Sequence, residues 1–321
     1  MLQVAILLCM PWIEGQSQVP ASFDTGPFYY LVGPLADDRV ATVQLEFGRE
    51  TRVTVFDLKG VTHASHVFAP EDEPIGYDAE GSLLIWRPEV LVKAPSDPDD
   101  TQLELGLRLG LRTRPVVRAG YLVRQLGTKH WLVARPDGRV TILNEYLRNG
   151  NFDIDVQHDR LFALQATLDG AVLLIAGLGP DNAREHIPIT TAAGEQIQIP
   201  YGSHSLRIVK SNVALFFGPT SSFSREDRLS APRFSFSEKP VKPKPEKELG
   251  VISFNISQRK ARLLAVVVSS DQSFCDVPPG VHVHYRTVYF GDNLVPTRDG
   301  EAVYVGLENR VLVLPIEESS R

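Results

Sequence analysis

Leu132-Val133-Ala134-Arg135 runs into Pro136-Asp137-Gly138 and leaves as Arg139-Val140-Thr141-Ile142-Leu143, a strand, a tight turn and a second strand. Asp-Gly suits such a turn because both residues tolerate positive φ, the backbone twist that lets two strands return on each other. The unit recurs. Leu161 to Thr167 passes through Leu168-Asp169-Gly170 into Ala171 to Ala176, and Leu294 to Thr297 passes through Arg298-Asp299-Gly300 into Ala302 to Gly306. A looser copy is Tyr77-Asp78-Ala79-Glu80-Gly81 before Ser82 to Trp86.

Outside these hairpins the pattern stays β. Arg39 to Phe47, Thr51 to Phe56, Gln102 to Leu111, Glu195 to Ile199 and Asn309 to Leu314 alternate apolar and polar residues. That period of two marks strands buried on one face. Helical periodicity is nearly absent, its best candidate being the short stretch Ile142 to Asn149. The fold class is therefore all-β, with antiparallel sheets joined by tight hairpins. A β-propeller is the first reading, with the hairpins as inner strand pairs and about six blades of 40–50 residues filling the chain. Its turn glycines fall at 81, 138, 170 and 300, which is no fixed period, so stacked β-sandwiches are the alternative.

The chain has 321 residues and a formal charge of −6. A mild acidic excess without a clustered basic stripe argues against a dedicated nucleic-acid binder. Two cysteines cannot build a disulfide scaffold. Val4 to Ile13 is a ten-residue apolar run, too short to cross a bilayer, and no other run approaches that length. Residues 1–18 are read as a signal or leader segment or as an N-terminal strand; the first Lys or Arg is Arg39, so a basic leader head is missing. A cleaved leader implies a secreted or periplasmic protein, and a retained strand an intracellular soluble one. Residues 19–237 form the main all-β domain. Residues 238–248 (EKPVKPKPEKE) have one apolar side chain and form a charged Pro-rich linker or long loop. Residues 249–321 are a C-terminal β segment, either a small domain or closing blades.

Asp153 and Asp155 in Asn151 to Arg160 share a strand face, with His158 just beyond. Paired carboxylates can act as general acid and base because like charges push their pKa values apart. The competing reading is a solvated strand face opposite Phe152, Ile154 and Val156. His282 and His284 are i and i+2 on a candidate strand, the spacing that turns two imidazoles toward one metal ion. Trp86 and Trp131 lie on predicted strands and are the candidates for stacking on a sugar or gripping a peptide.

No P-loop, dinucleotide glycine fingerprint, G-x-S-x-G elbow or H-E-x-x-H helix is present, and no cofactor is expected. The sequence leans to a non-enzymatic binding or scaffold protein presenting loops to a protein or glycan partner. The alternative is a carbohydrate-active hydrolase, or its accessory β-module, using a carboxylate pair in an aromatic-lined cleft.

Overall fold

The computed structural model describes residues 21–28, 30–46, 49–70, 72–86, 115–126, 130–144, 151–179, 183–199, 205–235, 248–268, 293–307 and 309–316. The apolar head at 4–13, the alternating run at 102–111 and both His282 and His284 lie outside the described residues.

The strands assemble into five sheets arranged as a five-blade β-propeller. After β1 (Ala21–Asp24), the first blade is β2 (Tyr30–Val32), β3 (Val40–Glu46), β4 (Glu50–Phe56) and β5 (Thr62–Phe68). The hairpin β6 (Glu73–Tyr77) and β7 (Leu83–Trp86) follows. It joins the second blade, whose strands are β8 (Val116–Arg118), β9 (Tyr121–Leu126), β10 (His130–Ala134) and β11 (Val140–Leu143), through the parallel partners Gly76 and Val117. A Cβ on Gly76 would lie 1.8 Å from the Val117 carbonyl oxygen, so this approach admits only glycine. The third blade is β12 (Phe152–Asp155), β13 (Arg160–Ala166), β14 (Ala171–Gly177) and β15 (Arg184–Pro188).

The fourth blade interleaves β16 (Arg207–Val209), β17 (Val213–Pro219), β18 (Arg233–Ser235), β19 (Leu249–Asn255) and β20 (Lys260–Val268) in the order β16-β17-β19-β20-β18. β17 pairs with β19 from Val213–Asn255 to Pro219–Leu249, so the charged 238–248 segment falls between two hydrogen-bonded neighbours of one sheet. In the fifth blade, β21 (Leu294–Pro296), β22 (Ala302–Leu307) and β23 (Arg310–Pro315) are completed by β1, which pairs with β23 from Ala21–Val313 to Asp24–Arg310. The two ends of the described chain thus close the ring in one sheet.

The core lies between neighbouring sheets. Trp131, Phe152, Leu161 and Leu174 fill the space between the second and third blades. Phe162, Leu173, Phe216 and Phe254 do so between the third and fourth, and Leu215, Val251, Val303 and Leu312 between the fourth and fifth. The middle strands β14, β17 and β19 are buried on nearly every residue, which is why they read as near-continuous apolar runs rather than alternating. Trp131 is one of these core side chains, 1% exposed and edge-on to Phe152 at 5.5 Å between ring centres.

Two local expectations are corrected, and a short helix joins the strands. The Asp-Gly hairpins are not all inner pairs: the turn joins first and second strands in the fifth blade, second and third in the third, and third and fourth in the second. That scatter is the physical reason for the missing period. Glu195 to Ile199 is not a strand but a loop with one isolated bridge, Thr190 to Gln196. Arg225–Ser230 is a short helix, α1, whose Ser224 and Asp227 form a reciprocal capping box.

Connections differ sharply between the two ends. The turns β2–β3, β6–β7, β8–β9, β12–β13, β16–β17 and β21–β22, and the third-to-fourth-strand turns, are two to seven residues long. Every longer connection leaves from the opposite end, among them 87–115, 144–151, 189–206 and 269–293.

Candidate functional site

The short inner turns encircle the propeller axis and enclose a funnel of about 390 Å³. Pro34, Ala119, Gln157 and Lys210 come from four of these turns, Asp78, Ala79 and Gly81 and then Thr297, Arg298 and Gly300 line it from two more, and Asp153 reaches it from β12. Asp side chains hold several of the turns closed. The carboxylate of Asp155 accepts the Gln157 and His158 amides at 3.1 and 3.3 Å, Asp78 accepts Ser82 at 2.7 Å, and Asp299 accepts Glu301 at 2.9 Å. The turn glycines Gly81, Gly138 and Gly300 carry the positive φ, while their aspartates act as acceptors.

Turns of different blades are tied to one another at the same end. Arg298 donates its guanidinium to the carbonyls of Ala79 and Glu80 at 3.0 and 2.9 Å, and its amide to Asp38. The Ala36 amide donates to the Gly81 carbonyl at 3.1 Å, and a Cβ on Gly81 would lie 2.5 Å from that amide nitrogen.

Asp153 and Asp155 share one face of β12, as their spacing predicts, but that face is not solvated; both residues are 5% exposed. The fourth blade covers it. Asp153 Oδ2 accepts the Ile208 amide at 2.7 Å, and Oδ1 faces Arg207 Nη1 at 3.7 Å and Arg118 Nε at 4.0 Å. Arg207 in turn donates Nε to the Leu294 carbonyl of the fifth blade at 2.8 Å. Burial pushes the Asp153 carboxyl up, against the pull of Arg207 and Arg118.

Asp155 behaves oppositely. Burial pushes its carboxyl up too, but Arg160 at 2.7 Å, Ser211 Oγ at 2.8 Å and His158 Nδ1 at 3.0 Å outweigh it and hold the pKa below the usual range. Val156, expected to point inward, is exposed at the turn. The structure therefore brings Asp153, Asp155 and His158 together and gives each carboxylate hydrogen-bond and ionic partners. Trp86 is half-buried on β7 at a distance in sequence and sheet from β12, and Trp131 has no open face. Among the described residues no group of three or more His, Cys, Asp or Glu could hold a metal ion. Arg118 and Arg207 escaped notice in the sequence, because an isolated arginine on a three-residue strand carries no periodic signal.

No family model matches the sequence, and no curated protein does. Solved structures align over nearly the whole chain at low similarity. A streptogramin B lyase is 10% identical with a TM-score of 0.37, covering 92% of this chain and 94% of that one. Virginiamycin B lyase from Staphylococcus aureus is 9% identical with a TM-score of 0.40, covering 93% and 99%. A chain of the Mitotic Checkpoint Complex is 11% identical with a TM-score of 0.41, covering 98% and 100%. Likeness at this level carries no argument about chemistry; the five-blade arrangement stands on the chain's own sheets.

Among the described residues no helix is long and apolar enough to cross a membrane.

Proposed function

We propose that the protein is a non-enzymatic binding scaffold whose long connections, which leave the sheets from one end of the propeller, engage a protein partner. The observation that carries this reading is the asymmetry of the connections: short turns anchored by Asp and Gly at one end, while the connections longer than seven residues leave the sheets from the other. A frame pinned at one end can hold variable loops at the other at low cost to the fold, the usual arrangement of a binding surface.

Two further features support a scaffold over a hydrolase. A general acid needs a carboxyl free to exchange its proton with substrate, whereas Asp153 is engaged by Ile208, Arg207 and Arg118 and Asp155 by Arg160 and Ser211. A glycan site needs an open aromatic face, and Trp131 is in the core.

The test is affinity capture from the native source, with the full chain beside a variant whose residues 269–292 are replaced by a Gly-Ser segment of equal length. A partner held by the native chain and lost from the folded variant supports the reading. Turnover of glycan substrates that vanishes in a folded Asp153→Asn variant would replace it with the hydrolase.

A further inference from the structure

We propose that the fourth blade carries a binding pocket for an oxyanion, beside the axial funnel, with which it shares Lys210. A cavity of about 390 Å³ opens there, and Lys210, Asn212, Ser253, Asn255, Lys260 and Arg262 are among its walls. Lys210 and Asn212 come from the β16–β17 turn, while Lys260 and Arg262 open β20, so two adjacent hairpins of one sheet converge on it. Among the described residues no carboxylate lines this cavity.

Three of its side chains, Lys210, Lys260 and Arg262, are cations, and the oxygens of two of its amides are already engaged. The Asn212 carbonyl oxygen already accepts the Ser257 amide at 3.1 Å. The Asn255 oxygen accepts the Gln258 amide and the Ser257 hydroxyl, both at 2.9 Å. Those bonds fix each amide's orientation and leave its NH₂ group as the part that can serve a ligand. Lys and Arg have no acceptor at all. Lys210 also bonds Glu301 at 2.6 Å, an exposed pair that shares its charge with solvent rather than cancelling it. A donor-lined, cationic cavity on a chain of formal charge −6 selects for a ligand rich in acceptor oxygens and negative charge.

Phosphate, sulfate and carboxylate share that chemistry. Free inorganic ions and acidic side chains are its two sources, and the assay separates them. Ile316 also lines the cavity and precedes Glu317 and Glu318, so the chain's own acidic pair must be controlled for.

Calorimetric titration of the full chain with inorganic phosphate and, separately, with a tetraglutamate peptide at low ionic strength tests the site. Saturable binding of at least one probe is expected. Lys260→Glu should weaken it by about tenfold or more, while Lys260→Arg should retain it and the distant Lys59→Glu should change it less than about twofold. A Glu317→Gln/Glu318→Gln variant should bind as tightly as the native chain or more so. Binding of phosphate alone points to a free or esterified tetrahedral anion, and binding of the peptide to an acidic segment. No saturable binding of either probe, or equal losses in Lys260→Glu and Lys59→Glu, overturns the proposal.

Discussion

The two ends of the propeller are built on opposite terms. At the short-turn end, Asp57, Asp78, Asp155 and Asp299 each accept backbone amides of their own turn, and Arg298, Asp153 and Arg207 reach across to other blades. From the other end the same strands lead into connections such as 87–115 and 269–293. Bonds within turns and between blades are thereby gathered at the short-turn end, while a long connection needs only to return the chain to its sheet.

Breaking the short-turn end should cost most at the axis. Asp153→Ala leaves Arg207 and Arg118 buried without their carboxylate and should destabilise by about 3–5 kcal/mol, read from denaturant unfolding. A glycine pair comes next. Gly81 and Gly138 have nearly equal φ of 89° and 85°, but a Cβ would meet Ala36 only at Gly81 and open space at Gly138. Gly138→Ala should cost about 1 kcal/mol from backbone strain alone, and Gly81→Ala about 2–3 kcal/mol, the excess measuring the contact with the first blade.

The smallest effect is a pH effect. Asp57, whose bond to His63 leads the Val61 and Lys59 amides in lowering its pKa to about 2, and Asp155 both titrate below a free carboxyl near 4. Their contribution is complete above the unfolded value and is lost as pH falls through the folded one, so stability should decline below about pH 4. Asp153, pushed up by burial, has the opposite sign. Asp155→Asn should lower stability at neutral pH by about 1 kcal/mol and shrink the acid-dependent loss, seen as convergence of the two unfolding curves toward pH 2.

Fold class was legible in the sequence because hairpin turns and two-residue alternation are local signals. Val40–Glu46 and Glu50–Phe56 fall where the pattern places strands. The number and framing of blades were not, because the Asp-Gly turn occupies a different strand pair in each blade and β1 completes the fifth blade from the far end of the chain. At the site, the shared face of Asp153 and Asp155 was readable from spacing, but not what covers it. Ile208 and Ser211 are more than 50 residues away in sequence, and only ring closure brings them onto β12. Alternation of Phe152, Asp153, Ile154 and Asp155 resembles a half-solvated strand, whereas an innermost strand is covered on both faces.

The central claim is that the axial carboxylate belongs to the fold and the long connections to the partner. Its most direct test measures both properties on two variants, Asp153→Asn and the Gly-Ser replacement of 269–292. The account predicts a double dissociation: Asp153→Asn loses stability yet, while folded, holds the captured partner with unchanged affinity. The replacement should keep native stability within about 0.5 kcal/mol and lose the partner. A stable Asp153→Asn variant without function, beside a replacement that binds normally, would contradict it.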